Sequence, residues 1–258
     1  MPYSIVFFDI DGTLLDDRNQ IPEDTKQAVA QLKQTGTKVA IATGRAPYHL
    51  KPVADELGID MFVSFNGSYV VAGDQVVYAN PLRKESLAML EEKAKANDHP
   101  LVFLSAETCY ANVEHHPRII ESFHYLSLEP PAYHRCFWQE EPIYQVFLHC
   151  QAHEEPNYLD DLVHFTSIRW HPYALDILPG GGSKAKGIAA LLDHLGIPPE
   201  QAVAFGDGLN DKEMLSFVGM GIAMGNAHEE LKPYAKWITR DVRDGGIRYG
   251  LERIGLLT

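Results

Sequence analysis

Two aspartates stand two residues apart near the start of the chain, in the run Asp9-Ile10-Asp11-Gly12-Thr13. They follow residues 4–8, an apolar run too short for a buried helix and rich in Val, Ile and Phe, which reads as a strand. Like charges so close repel, so either a cation sits beside them or one carboxyl keeps a proton. Gly12 lets the chain turn sharply after the pair. Such a pair suits phosphoryl transfer. One carboxylate can attack phosphorus, while the other passes a proton to the leaving oxygen and then takes one from water. The plain structural alternative is an Asx-turn with a helix N-cap.

A second acidic run, Gly206-Asp207-Gly208-Leu209-Asn210-Asp211, adds two carboxylates and an amide. Oxygen ligands without His or Cys suit a hard cation. Mg²⁺ usually takes one or two carboxylates, with waters and substrate phosphate completing its shell. A Ca²⁺ EF-hand would need a longer run of alternating acids ending in Glu. Two glycine-rich stretches carry weaker signals. Gly182-Ser183-Lys184-Ala185-Lys186-Gly187 does not match the nucleotide phosphate loop, and the last glycine of residues 219–225 falls one place late for a dinucleotide fingerprint. The twelve His residues form no HExxH and no zinc pairing.

The elements that must hold these residues alternate. Short apolar runs at 4–8, 38–42, 61–65, 202–205, 221–224 and 236–239 read as strands. Residues 22–35 carry Ala28, Val29 and Leu32 at helical spacing, start with Pro22 and stop at Gly36. Residues 186–195 behave alike, ending at Gly196. This alternation predicts an α/β fold, a Rossmann-like, mostly parallel sheet with helices on both faces. Candidate polar residues then fall just past strand ends: Asp9 and Asp11, then Thr43, Gly44 and Arg45, then Asn66, Asp207 and Asn226. In an open parallel sheet those ends share the edge where ligands bind. Any one of them could be an ordinary N-cap; five together are poorly explained that way.

The middle of the chain reads differently. Helices over 85–97, 117–126 and 157–163 are interspersed with strands over 101–105, 109–113, 143–150, 167–171 and 174–178. This predicts an inserted α+β domain over 82–181, bounded near Pro81 and by the Gly180-Gly181-Gly182 stretch, within a core formed by 1–81 and 182–258.

With 258 residues and 45% hydrophobic composition, the chain can bury a sizeable core. A formal charge of -13 argues against nucleic acid and against anionic membranes as partners. No run reaches the roughly 18 apolar residues of a membrane helix. The apolar N-terminal run is broken at Asp9 and lacks a basic segment, so no signal peptide is expected. The odd number of scattered cysteines, Cys109, Cys136 and Cys150, implies no disulfide framework, and a reducing cytoplasm is the simplest setting.

Taken together, the motifs resemble the haloacid dehalogenase-like hydrolase superfamily, and within it the Cof-type phosphatases that carry a large α/β cap. The resemblance covers 1–80 and 182–258. It rests on DxDGT at 9–13, Thr43 within ATGR, Lys184, GDGxND at 206–211, Asn66-Gly67, Gly-Asn-Ala at 225–227 and the late run 244–247. The resemblance implies Asp9 as nucleophile and Asp11 as general acid/base. It implies Thr43, Gly44, Lys184 and Asn210 around the phosphate. Asp9, the Asp11 carbonyl and Asp207 would hold Mg²⁺, and Asp211 would support the metal or orient Lys184. Lys186 competes for the lysine role; Lys184 is preferred because Ala follows it directly. A small phosphorylated metabolite is the implied partner, with a monomer or small homo-oligomer as the assembly. A sugar phosphomutase and a non-catalytic binding protein on the same fold remain as alternatives.

Substrate choice is expected to lie in the inserted domain. Arg169-Trp170-His171-Pro172-Tyr173 concentrates a cation, aromatic walls and polar groups, the parts a small-molecule pocket uses. Arg45, Asn66, Asn226, Arg169, Trp170 and His171 are therefore candidate substrate contacts. A strand turn with Trp170 packed into its own domain is the alternative.

Overall fold

The computed structural model describes residues 3–159 and 165–258. The chain opens with β1 (Ile5–Phe8), α1 (Glu23–Gln34), β2 (Lys38–Ala42), α2 (Pro47–Leu57), β3 (Met61–Ser64), β4 (Tyr69–Ala72) and β5 (Gln75–Ala79). It continues through α3 (Lys84–Ala96), β6 (Leu101–Leu104), β7 (Cys109–Ala111), α4 (Pro117–Tyr125), α5 (Phe137–Glu140), β8 (Gln145–Leu148), α6 (Pro156–Leu159), β9 (Phe165–His171) and β10 (Ala174–Pro179). It closes with α7 (Lys184–Leu195), β11 (Ala202–Gly206), α8 (Lys212–Phe217), β12 (Met220–Ala223), β13 (Trp237–Ile238) and α9 (Gly246–Arg253). The expected helix over 157–163 is described only as far as Leu159; residues 160–163 lie outside the described residues.

These elements gather into two compact units. The first comprises Met1–Arg45, His49–Ala79 and Ser183–Thr258; the second comprises Ala46–Tyr48 and Asn80–Gly182.

The first unit is built on an eight-stranded sheet ordered β13-β12-β11-β1-β2-β3-β4-β5. The six strands from β13 to β3 are parallel. All four residues of β1 are fully buried, as expected for a central parallel strand covered on both faces. α1 begins after Pro22 with Glu23 and Asp24 in its first turn, where negative charge favours the helix dipole. Its apolar stripe buries Ala28, Val29 and Leu32. α1 packs on β2 and α9, whereas α7 packs on β3, β4, β5 and α8.

The sheet departs from the expected pattern at one edge. β4 and β5 are antiparallel, a hairpin added beyond β3 that the strand pattern did not single out. Gly73, at φ +60°, makes the tight turn between them, so the chain reverses without the helical crossover a parallel strand needs.

The second unit holds a five-stranded antiparallel sheet ordered β7-β6-β8-β10-β9. Strand alternation sends Leu101, Phe103, Val146, Leu148, Leu175 and Ile177 to one face, where they pack with Leu87, Leu90 and Ala94 of α3 and with Phe137 and Trp138. Gln145, Phe147 and Asp176 alternate to the other face. No helix among the described residues is long and apolar enough to cross a membrane.

Candidate active site

The parallel register aligns four strand ends. β1 pairs with β11 on one side and β2 on the other, and β11 pairs with β12, so the chain leaves these strands along one edge. Asp9 follows β1 and extends its ladder, its N–H donating to the Phe205 carbonyl at 3.0 Å. Thr43 follows β2, and Asp207 follows β11.

Local backbone features bring these side chains closer. Gly12 sits at φ +77°, and a Cβ there would lie 2.2 Å from Asp207 Oδ2. Only glycine leaves room for that carboxylate against the loop. Thr13, fully buried, donates its hydroxyl to Asp207 Oδ1 at 2.8 Å. Asn226 braces the same loop: Nδ2 donates to the Gly12 carbonyl at 2.7 Å, and Oδ1 accepts the Val242 N–H at 2.9 Å.

Lys184 is the first residue of α7, whose N-cap is Ser183. That helix start lies against the turn after β3. Gly67, at φ +99°, has room for no Cβ, which would fall 2.0 Å from the Ser183 carbonyl oxygen, and a Cβ on Gly187 would lie 2.4 Å from Val63. The close approach carries the Lys184 ammonium to 2.6 Å from both Asp9 Oδ1 and Asp211 Oδ1. Asp211 Oδ2 in turn accepts the N–H groups of Asp207 and Gly208, each at 3.0 Å. Both oxygens of Asp211 are thus occupied in holding Lys184 and the 207–208 backbone. Lys186, the competing lysine, is exposed.

The electrostatics show a shortage of positive charge. Burial pulls the Lys184 ammonium down, but Asp211 and Asp9 outweigh it and hold its pKa above the usual lysine range. Burial pushes the Asp9 carboxyl well above its ordinary range; Lys184 opposes this, and Asp211, Asp207 and Asp11 add to it. Burial likewise lifts Asp207 to about 7, against the Thr13 hydrogen bond. One lysine among these carboxylates leaves a net negative site. Asp9, Asp207 and Asp211 each offer an oxygen within 4.8 Å of the others. This all-oxygen set fits a hard cation such as Mg²⁺, and burying unbalanced carboxylates favours one.

Thr43 is almost fully buried, and its Oγ1 accepts the Arg45 N–H at 3.1 Å. Phe65 and Asn66 both take left-handed backbone, at φ +49° and +50°, which costs energy for non-glycine residues. In that conformation the Asn66 N–H reaches the Thr43 carbonyl at 3.1 Å, and Asn66 Oδ1 accepts from Asn210 Nδ2 at 2.9 Å. A Cβ on Gly44 would stand 3.0 Å from the Asn66 amide. Thr43, Asn66 and Asn210 therefore form one hydrogen-bonded cluster, with Gly44 packed against it. Asp11 is held elsewhere: Arg45 forks its carboxylate, Nε to Oδ2 at 3.0 Å and Nη2 to Oδ1 at 2.6 Å.

In the second unit the candidate residues face their own surroundings. Arg169 ion-pairs with Glu155 and donates to the carbonyls of Cys150, His171 and Pro172 at 3.0–3.1 Å. Its guanidinium ties a hairpin together. Trp170 donates to Asp176 Oδ1 at 2.7 Å, stacks on Tyr125 and meets Phe147 edge-on. His171 is buried, and its Nδ1 accepts the Tyr173 N–H at 3.2 Å. Sequence reasoning did not single out Thr13, although DxDGT contains it. Nor did it single out Gln145 and Asp176, two polar residues in otherwise apolar strands.

The chain has relatives among known proteins. The haloacid dehalogenase-like hydrolase family matches residues 6–251. The chain is 42% identical over 257 residues to the Bacillus subtilis (strain 168) protein named "Putative phosphatase YkrA", covering 100% of both. It superposes on the crystal structure of a hypothetical protein from Geobacillus kaustophilus HTA426 with a TM-score of 0.96 and 50% identity, covering 99% of this chain and 100% of that one. It superposes on the subclass IIB sugar phosphatase BT4131 with a TM-score of 0.86 and 27% identity, covering 98% and 100%. The chain belongs to the haloacid dehalogenase-like hydrolases, as a phosphatase of their Cof-type branch.

Proposed function

We propose that this phosphatase hydrolyses a small phosphate ester, a sugar phosphate or similar metabolite, through a phosphorylated Asp9, with Mg²⁺ bound. The observation that carries the reading is the Lys184 ammonium, fully buried and shared at 2.6 Å between Asp9 and Asp211. Lys184 favours the ionised form of Asp9 against the effect of burial and holds it in one orientation, as a nucleophile requires. Asp9 attacks phosphorus, forming the Asp9–phosphorus bond as the ester P–O bond breaks. Asp11 gives its proton to the departing oxygen. The resulting Asp11 carboxylate then takes a proton from water, which attacks the acyl phosphate and releases Asp9 and inorganic phosphate.

Lys184 and Thr43 are assigned to the phosphoryl oxygens, where charge is stabilised as the bonds change. Gly44 and Asn210, gathered with Thr43 around Asn66, belong to the same phosphate-holding loop system. Asp9, Asp207 and the Asp11 carbonyl would hold Mg²⁺, with Asp211 orienting Lys184. When bound, Mg²⁺ supplies positive charge that reduces repulsion between Asp9 and the phosphate dianion. Residues 82–181 are assigned to leaving-group contacts, with Trp170 and His171 the better candidates because Arg169 is engaged with Glu155 and three carbonyls. The likeness to BT4131, a sugar phosphatase, supports a sugar phosphate as the substrate class. The free cysteines and the acidic balance accord with a cytoplasmic setting.

The test is phosphate release from a panel of sugar phosphates and other monoesters, with Mg²⁺ and with EDTA. Metal-dependent release of inorganic phosphate supports the reading. Transfer to a second hydroxyl without release, or full activity in EDTA, overturns it.

A further inference from the structure

Arg45 and Asp11 form a two-pronged ion pair. Both side chains are partly exposed, at 28% for Arg45 and 59% for Asp11. Exposed ion pairs contribute about 0–1 kcal/mol to stability, so packing energy alone gives little reason for so complete a contact. Yet both oxygens of Asp11 are engaged, each by a different nitrogen of one guanidinium. A planar fork of this kind fixes orientation as well as distance, which a lysine ammonium cannot do.

Arg45 is itself held on three sides. Its N–H donates to Thr43 Oγ1 at 3.1 Å, its carbonyl accepts the Phe65 N–H at 3.2 Å, and Nη1 reaches the His49 carbonyl at 3.4 Å. Its backbone therefore follows the turn that carries Thr43. Asp11, by contrast, lies on the loop after β1, and among the described residues the hydrogen bonds to its carboxylate come from Arg45. Asp9 is only 7% exposed and tied to Lys184, whereas Asp11 stands at the open side of the loop. The proposed reaction needs its acid where the leaving oxygen departs, and Asp11 is the more open of the two carboxyls.

We propose that Arg45 is a positioning residue that holds the Asp11 carboxyl at the leaving-group side of the site. This rests on the reading of Asp11 as acid and base. Arg45 does not touch the reacting atoms in this role; it acts through Asp11. A misplaced acid loses much of its effect, since a shift of about 1 Å can cost on the order of 100-fold, and acid–base help itself is typically worth about 10²–10⁴-fold.

The experiment is a double-mutant cycle with Arg45→Ala and Asp11→Asn, assayed on an alkyl phosphate and on p-nitrophenyl phosphate. Arg45→Ala should lower kcat on the alkyl ester by roughly 10- to 100-fold and on p-nitrophenyl phosphate by about threefold or less, because the better leaving group needs little acid. In the Asp11→Asn background, Arg45→Ala should cost no more than about threefold on either ester, since the residue it positions is gone. Arg45→Lys should recover only part of the loss. A cost that is equal for both esters, or that persists undiminished in the Asp11→Asn background, overturns the proposal and assigns Arg45 to the phosphate or to the fold. A thermal melt of each variant separates misfolding from misplacement. Failure of wild-type protein to release phosphate from any ester would instead refute the phosphatase mechanism itself.

Discussion

Replacing Asp176 with asparagine should remove one part of the stability that the native protein loses as pH rises towards neutrality. Asp176 lies on β10 with 9% of its surface exposed. Burial raises its pKa from 3.8 to about 7, against hydrogen bonds from Trp170 and Gln145, and no charged group contributes. Gln145 Oε1 is buried without a hydrogen-bond partner. A protonated Asp176 supplies a donor of the kind that oxygen lacks, once the amide turns to face it. Between 3.8 and about 7 the folded state holds this proton and the unfolded chain does not. Stability from this group is therefore full below the unfolded pKa and is lost as pH rises through the folded one. Three pKa units at about 1.4 kcal/mol each give a total on the order of 4 kcal/mol, of which about 3 kcal/mol falls between pH 5 and pH 8. Urea unfolding at pH 5 and pH 8 measures it, followed by tryptophan fluorescence, since Trp138 and Trp170 both belong to the second unit. An asparagine keeps a donor without a charge, so the Asp176→Asn variant should lose less stability than wild type between pH 5 and pH 8 and exceed wild type at pH 8. Asp207 also titrates near 7, but it is present in both proteins and cancels in the difference. Parallel pH profiles for wild type and variant would refute the argument.

Asp9→Asn should abolish turnover, by about 10³-fold or more, with a native melt; a loss within tenfold would remove Asp9 from the nucleophile role. Borohydride reduction during turnover should label Asp9 in the wild-type protein. EDTA should abolish activity and Mg²⁺ restore it, and Asp207→Ala should weaken Mg²⁺ binding measured by calorimetry without lowering the melting temperature comparably. Lys184→Met should leave the Asp9 and Asp211 carboxylates without their cation, costing roughly 3–5 kcal/mol in urea unfolding at pH 8; wild-type stability in that variant would show the triad is not held by charge.

The sheet core was legible because β1, β2 and β11 are short, almost wholly apolar runs between helical patterns, and a central parallel strand has no other solution. The carboxylates were legible for a related reason: polar residues ending apolar strands share one sheet edge by geometry alone. Less was visible where partners lie far apart in sequence. Within residues 182–187 only the family resemblance favoured Lys184; that it turns inward follows from the contact of Gly67 with the Ser183 backbone. The engagement of Arg169 with Glu155 and three carbonyls was likewise hidden, because a cation beside aromatics reads the same whether it faces a ligand or its own hairpin. The β4–β5 hairpin was missed because valine-rich runs around Gly73 can pass for continuation of β3.

The central position of β1 constrains how the protein comes off the ribosome. β1 needs β11 on one side, and the Thr13–Asp207 hydrogen bond that joins their loops spans 194 positions. At about 5–20 residues per second, translation leaves β1 without that neighbour for roughly 10–40 seconds. During that interval the whole intervening unit can fold, while an apolar strand edge beside Asp9 stays open to any other chain that offers a match. Asp9, Asp207 and Lys184 can thus come together only after β11 has emerged, and nascent chains are most exposed to mispairing before then.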